Sequence, residues 1–148
     1  MRTGVIIVPL VSPETVGIAC RALYSYNCYW LTMVPTAPNL YHRNLKYLRE
    51  PPQLDLINPH ERWYTYEEML VRGGGDCKVL ACASAAWRTV RMHQDAWPIV
   101  RRYKDTYHIV TGYLNGWGVL QIEDPSCQFG MDGCDTNGQV LAPYLPYK

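Results

Sequence analysis

The chain has 148 residues and a formal net charge of +1, with 48% hydrophobic and 18% charged residues. That length suits one domain, 1–148, able to bury roughly 70% of its unfolded surface, so no staple is required to hold a core. The balance of charge leaves no electrostatic footprint for nucleic acid, the composition excludes wholesale disorder, and no apolar run reaches the length that a membrane-spanning helix needs.

Twelve Tyr and five Trp accompany a single Phe. Tyr and Trp join an apolar body to a polar tip, so they suit core edges first and binding grooves second. The opening segment MRTGVIIVPLVSPETVGIAC carries one Arg, and Pro9, Ser12, Pro13 and Glu14 break its apolar run. It does not read as a signal peptide, and an intracellular origin is expected. The six cysteines include no CxxC pair, so the usual zinc and redox spacings are missing, and their pairing stays open.

In chain order, 4–11 reads as a short strand or extended arm, with Pro9 confining it to an edge. A helix follows to Tyr26, with Ser12 as N-cap, Pro13 at the first helical position, and Val16, Ala19, Cys20 and Leu23 at helical spacing. Pro35 to Pro59 reads as irregular, with one short extended piece. Tyr64 to Val71 predicts a helical turn or two. The strongest helix runs from Cys77 to His93, with an apolar stripe of Val79, Leu80, Ala83, Ala86, Trp87 and Val90. Trp97–Arg102, Thr106–Leu114 and Trp117–Ile122 predict strands, the last two joined by a tight Asn115-Gly116 turn. The tail, 132–148, reads mostly as loop. The order implies an α+β fold, a capped central helix packed on an antiparallel sheet.

Three features carry chemistry. Cys77 stands where Gly73, Gly74 and Gly75 end and a helix begins, with Asp76 placed to cap the first turn. A thiol is a nucleophile only as thiolate, and a helix N-terminus favours that charge. His108 on the strand TYHIVTGYL offers a base. The returning strand ends in Glu123-Asp124-Pro125-Ser126. A two-residue turn at Asn115-Gly116 sets Glu123 opposite His108, and a one-residue bulge sets Asp124 there. Either register puts a carboxylate beside the imidazole, as a thiol–imidazole–carboxylate site requires. His42, His60 and His93 are scattered without ligand spacing, so neither a metal nor an organic cofactor is expected.

These segments resemble the Cys, His and Asp segments of transglutaminase-like proteins of the papain-like superfamily, in particular short versions encoded in tailed bacteriophage genomes. The likeness runs from about 35 to 131. It rests on PNLYHRNLKYLREPP, the glycine run with Asp76-Cys77, AAWR at 85–88, the His108 strand, EDPS at 123–126 and Gly130-Met131. It implies a papain-like fold with Cys77 as nucleophile, His108 as base and Asp124, rather than Glu123, as orienter. Asn39, Tyr41 or Tyr64 would supply a second oxyanion donor or a groove. The family usually carries acidic residues directly after the Cys, where this chain has Lys78 and Val79. Lys78 opposes the helix dipole but favours a nearby thiolate.

Two functions fit these expectations. One is thiol-dependent acyl transfer on a peptide or protein substrate, by hydrolysis or cross-linking. The other is a virion structural or assembly protein that self-associates or packs on other virion proteins. Host cytoplasm or virion is the expected location, without membrane or nucleic-acid partners.

Overall fold

The computed structural model describes residues 5–9, 13–49, 60–103, 106–132, 134 and 145–146. The expected Ser12 cap, all of 50–59 and most of the tail lie outside the described residues. Helix α1 spans Pro13–Met33, a 3-10 turn Leu40–His42, helix α2 Tyr66–Arg72, helix α3 Cys77–Arg91 and helix α4 Pro125–Gln128. The strands are β1 Val5–Pro9, β2 Lys46–Tyr47, β3 His60–Tyr64, β4 Gly74–Gly75, β5 Ala96–Tyr103, β6 Thr106–Leu114, β7 Leu120–Glu123 and β8 Leu145–Pro146. The class is α+β: helices pack on a four-stranded sheet, ordered β7-β6-β5-β8, beside two small strand pairs.

Helix α1 runs past Tyr26 because Leu23, Asn27 and Leu31 continue its buried face at four-residue spacing. Asn27 reads locally as a turn residue. Its buried Oδ1 instead accepts from Tyr66 N at 2.9 Å and ties α1 to α2. Of the two expectations for 4–11, strand or extended arm, the strand is found, over Val5–Pro9 and antiparallel to β3.

Helix α3 is the centre of the molecule. Its expected stripe of Val79, Leu80, Ala83 and Ala86 packs with Leu31, Leu40, Tyr66 and Met69. The burial is wider than a stripe, however: every residue from Lys78 to Ala86 is buried. Ala81 and Cys82 face a second cluster with Val16, Cys20, Leu23, Trp63, Val100 and Ile109, which joins α1 and α3 to β5 and β6. The first half of α3 is therefore enclosed on all sides, and the polar residues there, Lys78 and Ser84, are buried with their partners.

The strand β6 has the expected bounds, but its connection to β7 does not. Asn115 Oδ1 accepts from both Trp117 N and Val119 N, at 2.9 and 3.0 Å. The positive φ of 72° falls at Gly118. The two-residue Asn115-Gly116 turn is therefore replaced by a loop over 115–119. The register moves with it: Thr111, not His108, faces Glu123. The tail also contributes a short strand, β8, which pairs with Arg101 and Arg102 of β5.

Candidate functional site

The glycine run is shaped by its backbone. Gly73 ends α2 in the left-handed region at φ 79°. Gly74 has φ 152°, and a Cβ there would lie 1.8 Å from the Lys46 carbonyl oxygen of β2. Gly75 abuts Val79, where a Cβ would come within 2.5 Å of a side-chain methyl. The run brings β4 alongside β2 and then releases the chain into α3. Asp76 caps that helix, its Oδ1 accepting from Val79 N at 3.4 Å.

Cys77 is the first residue of α3 and is half-buried, in contact with the Ala81, Cys82 and Ile109 cluster. Beside it stands Tyr47, whose hydroxyl is pushed up to about 12 by burial, with the charges of Cys77 and Asp76 adding to the effect. The other thiols differ. Cys82 is fully buried, donates to Cys20 O at 3.5 Å, and is held well above the usual thiol range by that burial. Cys28 is raised by burial as well. Cys127 and Cys134 form a disulfide.

His108 and Asp124 meet. Both are buried, at 4% and 3% exposure, and His108 Nε2 lies 2.5 Å from Asp124 Oδ2. Donation from Nε2–H to the carboxylate leaves the lone pair of a neutral ring on Nδ1. The other carboxylate oxygen, Oδ1, accepts from Ser126 N and Cys127 N at 3.1 and 3.4 Å. Asp124 is therefore the N-cap of α4 and is held from two sides.

Glu123, the other candidate carboxylate, goes elsewhere. Strand alternation sends it with Thr111 and Tyr113 toward α3, and sends the next residue to His108. Glu123 accepts from Arg88 Nε and Nη2 at 2.8 and 2.9 Å, from the Tyr41 hydroxyl at 2.5 Å and from the Ser84 hydroxyl. Burial pushes the Glu123 carboxyl up, but those hydrogen bonds and the Arg88 charge outweigh it and hold it below its ordinary value. Burial likewise pulls Arg88 down, and Glu123 more than reverses this. Ser84 and Arg88 were missed from sequence. Their four-residue spacing inside an apolar helix was the available signal.

This network also engages one of the suggested accessory groups. The Tyr41 hydroxyl is engaged by Glu123 and Ser84, and burial raises its pKa, so it is not available to an oxyanion. Asn39 caps the 3-10 turn by accepting from Tyr41 N at 2.9 Å. The Tyr64 ring lies 4.2 Å under the Arg72 guanidinium.

The direction of α3 relates the thiol to the imidazole. Thr111 Oγ1 donates to Ala81 O at 3.1 Å, and the Arg88 guanidinium lies 3.7 Å over the Tyr113 ring. Helix and strand thus run in the same sense. Cys77 precedes Ala81 by about 6 Å of helix rise, and His108 precedes Thr111 by about 10 Å of strand. Both stand at the same end of that contact.

Among the described residues, no three His, Cys, Asp or Glu side chains converge as a metal site, and no helix is long and apolar enough to cross a membrane. A cavity of about 530 Å³ opens between α1 and β5, lined by Cys20, Arg21, Tyr24, Trp97 and Ile99 among others. None of the candidate site residues lines it. Comparison of the chain with protein-family models, curated proteins and solved structures finds no match.

Proposed function

We propose that this chain is a transglutaminase-like, papain-like protein performing thiol-dependent acyl transfer, with Cys77 as nucleophile, His108 as base and Asp124 as orienter. The observation that carries the reading is the buried His108–Asp124 pair at 2.5 Å, at the end of the sheet toward which the Cys77 helix starts. The reading requires the sulfur and the imidazole to meet at the start of α3.

In the proposed reaction His108 takes the Cys77 proton, and the thiolate attacks an amide or ester carbonyl. The backbone N–H of Cys77, in a first helical turn whose N–H groups point outward, helps hold the oxyanion. The imidazolium returns its proton to the leaving amine or alcohol as that bond breaks, leaving a thioester. Water or an amine, deprotonated by His108, attacks the thioester and releases the thiol, giving hydrolysis or cross-linking. Asp124 keeps the ring in its working tautomer and supports its charged form.

The test is iodoacetamide labelling against pH, mapped by peptide mass spectrometry. Cys77 should label in preference to Cys20, Cys28 and Cys82, with a midpoint below the free-thiol value of ~8.5. His108→Ala should move that midpoint up. A folded chain in which Cys77 labels no faster than a free thiol, or is indifferent to His108→Ala, overturns the reading.

A second reading, an assembly module, has one observation in its favour. Ile18, Tyr29 and Met33 are 59%, 64% and 62% exposed, and their spacing, with Ala22 between them, puts them on one outer face of α1. An idle Cys77 in a folded chain would leave this reading standing.

A further inference from the structure

Lys78 is a lysine inside the protein, at 2% exposure, directly after the candidate nucleophile. Its Nζ donates to Asp76 Oδ2 and lies 5.6 Å from the centre of the Trp63 ring. A buried ammonium without such partners would give up its proton. A carboxylate on one side and an aromatic face on the other let it stay charged. Asp76 in turn has two tasks. Oδ1 caps α3, while Oδ2 is taken by Lys78. An unbalanced Asp76 carboxylate, one residue from Cys77, would oppose ionisation of the thiol. The same repulsion is felt by the hydroxyl of Tyr47 and the thiol of Cys82, which the charge of Asp76 pushes up.

We infer that Lys78 is a positioning residue for Cys77: its buried ammonium offsets the charge of the helix-capping Asp76 and so favours the thiolate. The inference rests on the proposed role of Cys77 and adds how its ionisation is set. A cap of Asp alone would stabilise the helix and suppress its first residue. The Asp76–Lys78 pair keeps the cap and weakens the suppression. Burial makes this effective, because charges are poorly screened away from water.

Other ionisable groups bear on the same thiol. Tyr47 approaches from β2, with Arg49 beside it. Tyr107 of β6 and Tyr24 of α1 pack on the cluster that Cys77 touches, as do the buried Cys20 and Cys82 within it. The His108–Asp124 pair stands toward the same end of α3. The charged groups around the thiol are thus Asp76, Lys78 and the His108–Asp124 pair, with Arg49 farther out beside Tyr47.

The experiment is the iodoacetamide pH profile of Cys77 in a charge cycle on the full chain, with folding monitored by circular dichroism. Lys78→Met should raise the Cys77 midpoint by about one pH unit or more, as expected when an adjacent countercharge is lost. Lys78→Arg should restore the wild-type profile. Asp76→Asn, which retains a capping side chain, should lower the midpoint. The double variant Asp76→Asn/Lys78→Met should return near wild type. If Lys78→Met alone fails to fold, the comparison of Asp76→Asn with the double variant reads the same quantity, and the double variant must have the higher midpoint. Equal midpoints in that pair, or an unmoved midpoint in folded Lys78→Met, overturn the inference. A wild-type Cys77 with an ordinary free-thiol midpoint would instead overturn the proposed nucleophile.

Discussion

Glu123 and Asp124 are adjacent in the chain and serve different partners: Glu123 binds Ser84 and Arg88 of helix α3, and Asp124 binds His108 and caps α4. Glu123 is closed in by a guanidinium, a phenol and a serine hydroxyl, which take its acceptor sites and are themselves tied to one another and to Gln94. Asp124 gives one oxygen to two backbone amides and the other to an imidazole. The first arrangement ties strand, helix and 3-10 turn together. The second presents a ring that can still exchange a proton. One residue of strand alternation decides which carboxylate becomes a lock and which a candidate catalytic group.

Breaking the lock should have the largest effect. Arg88→Met leaves Glu123 buried and unpaired, so stability measured by urea unfolding should fall by about 3 kcal/mol. The Cys77 labelling profile of the remaining folded protein should not change. The pH dependence has a definite sign. The folded Glu123 pKa lies below its unfolded value, so its stabilising contribution is full above the unfolded carboxylate value of ~4.3. It fades as pH falls through the folded value, and Glu123→Gln should remove that acid-side loss. A smaller effect of the reverse kind is expected at the other carboxylate. Asp124→Asn keeps a cap for α4, so stability should change by less than about 1 kcal/mol. Neutral-pH labelling of Cys77 should nevertheless drop about tenfold, the consequence of a one-unit shift. Equal labelling would mean that Asp124 is structural too. The smallest effect is at Ser126, whose buried Oγ has no hydrogen-bond partner among the described residues. Ser126→Ala should leave stability unchanged or raise it by up to about 1 kcal/mol. A clear loss would show that the hydroxyl has a partner and erase one difference between the two carboxylate sites.

The division between these carboxylates was not legible in the sequence. The elements were: helix α3 starts where Asp76-Cys77 indicates, and β6 has the bounds its alternating residues suggest. Local chemistry sets both, a cap in one case and β-branched and aromatic residues in the other. The register of β6 on β7 depends on how Asn115 uses its side chain, which its neighbours in sequence do not reveal. The Asn-Gly pair suggested a two-residue turn, and Asn115 instead organises the wider loop. The Glu123 partners lie 35, 39 and 82 residues away in the chain, so no local pattern announces them. Burial of Lys78 was equally hidden, since lysine is among the residues least often enclosed. Trp63 and Asp76 accommodate it only once β3 and α3 are side by side.

The disulfide between Cys127 and Cys134 closes a small ring that starts inside the turn that Asp124 caps. Cytosolic glutathione and thioredoxin keep most thiols reduced, whereas secreted and virion-surface proteins keep such rings shut. The carboxylate that faces His108 therefore sits next to a covalent tie that one environment preserves and another dissolves. How firmly that acid is aimed depends in part on the redox poise of the place where the protein works.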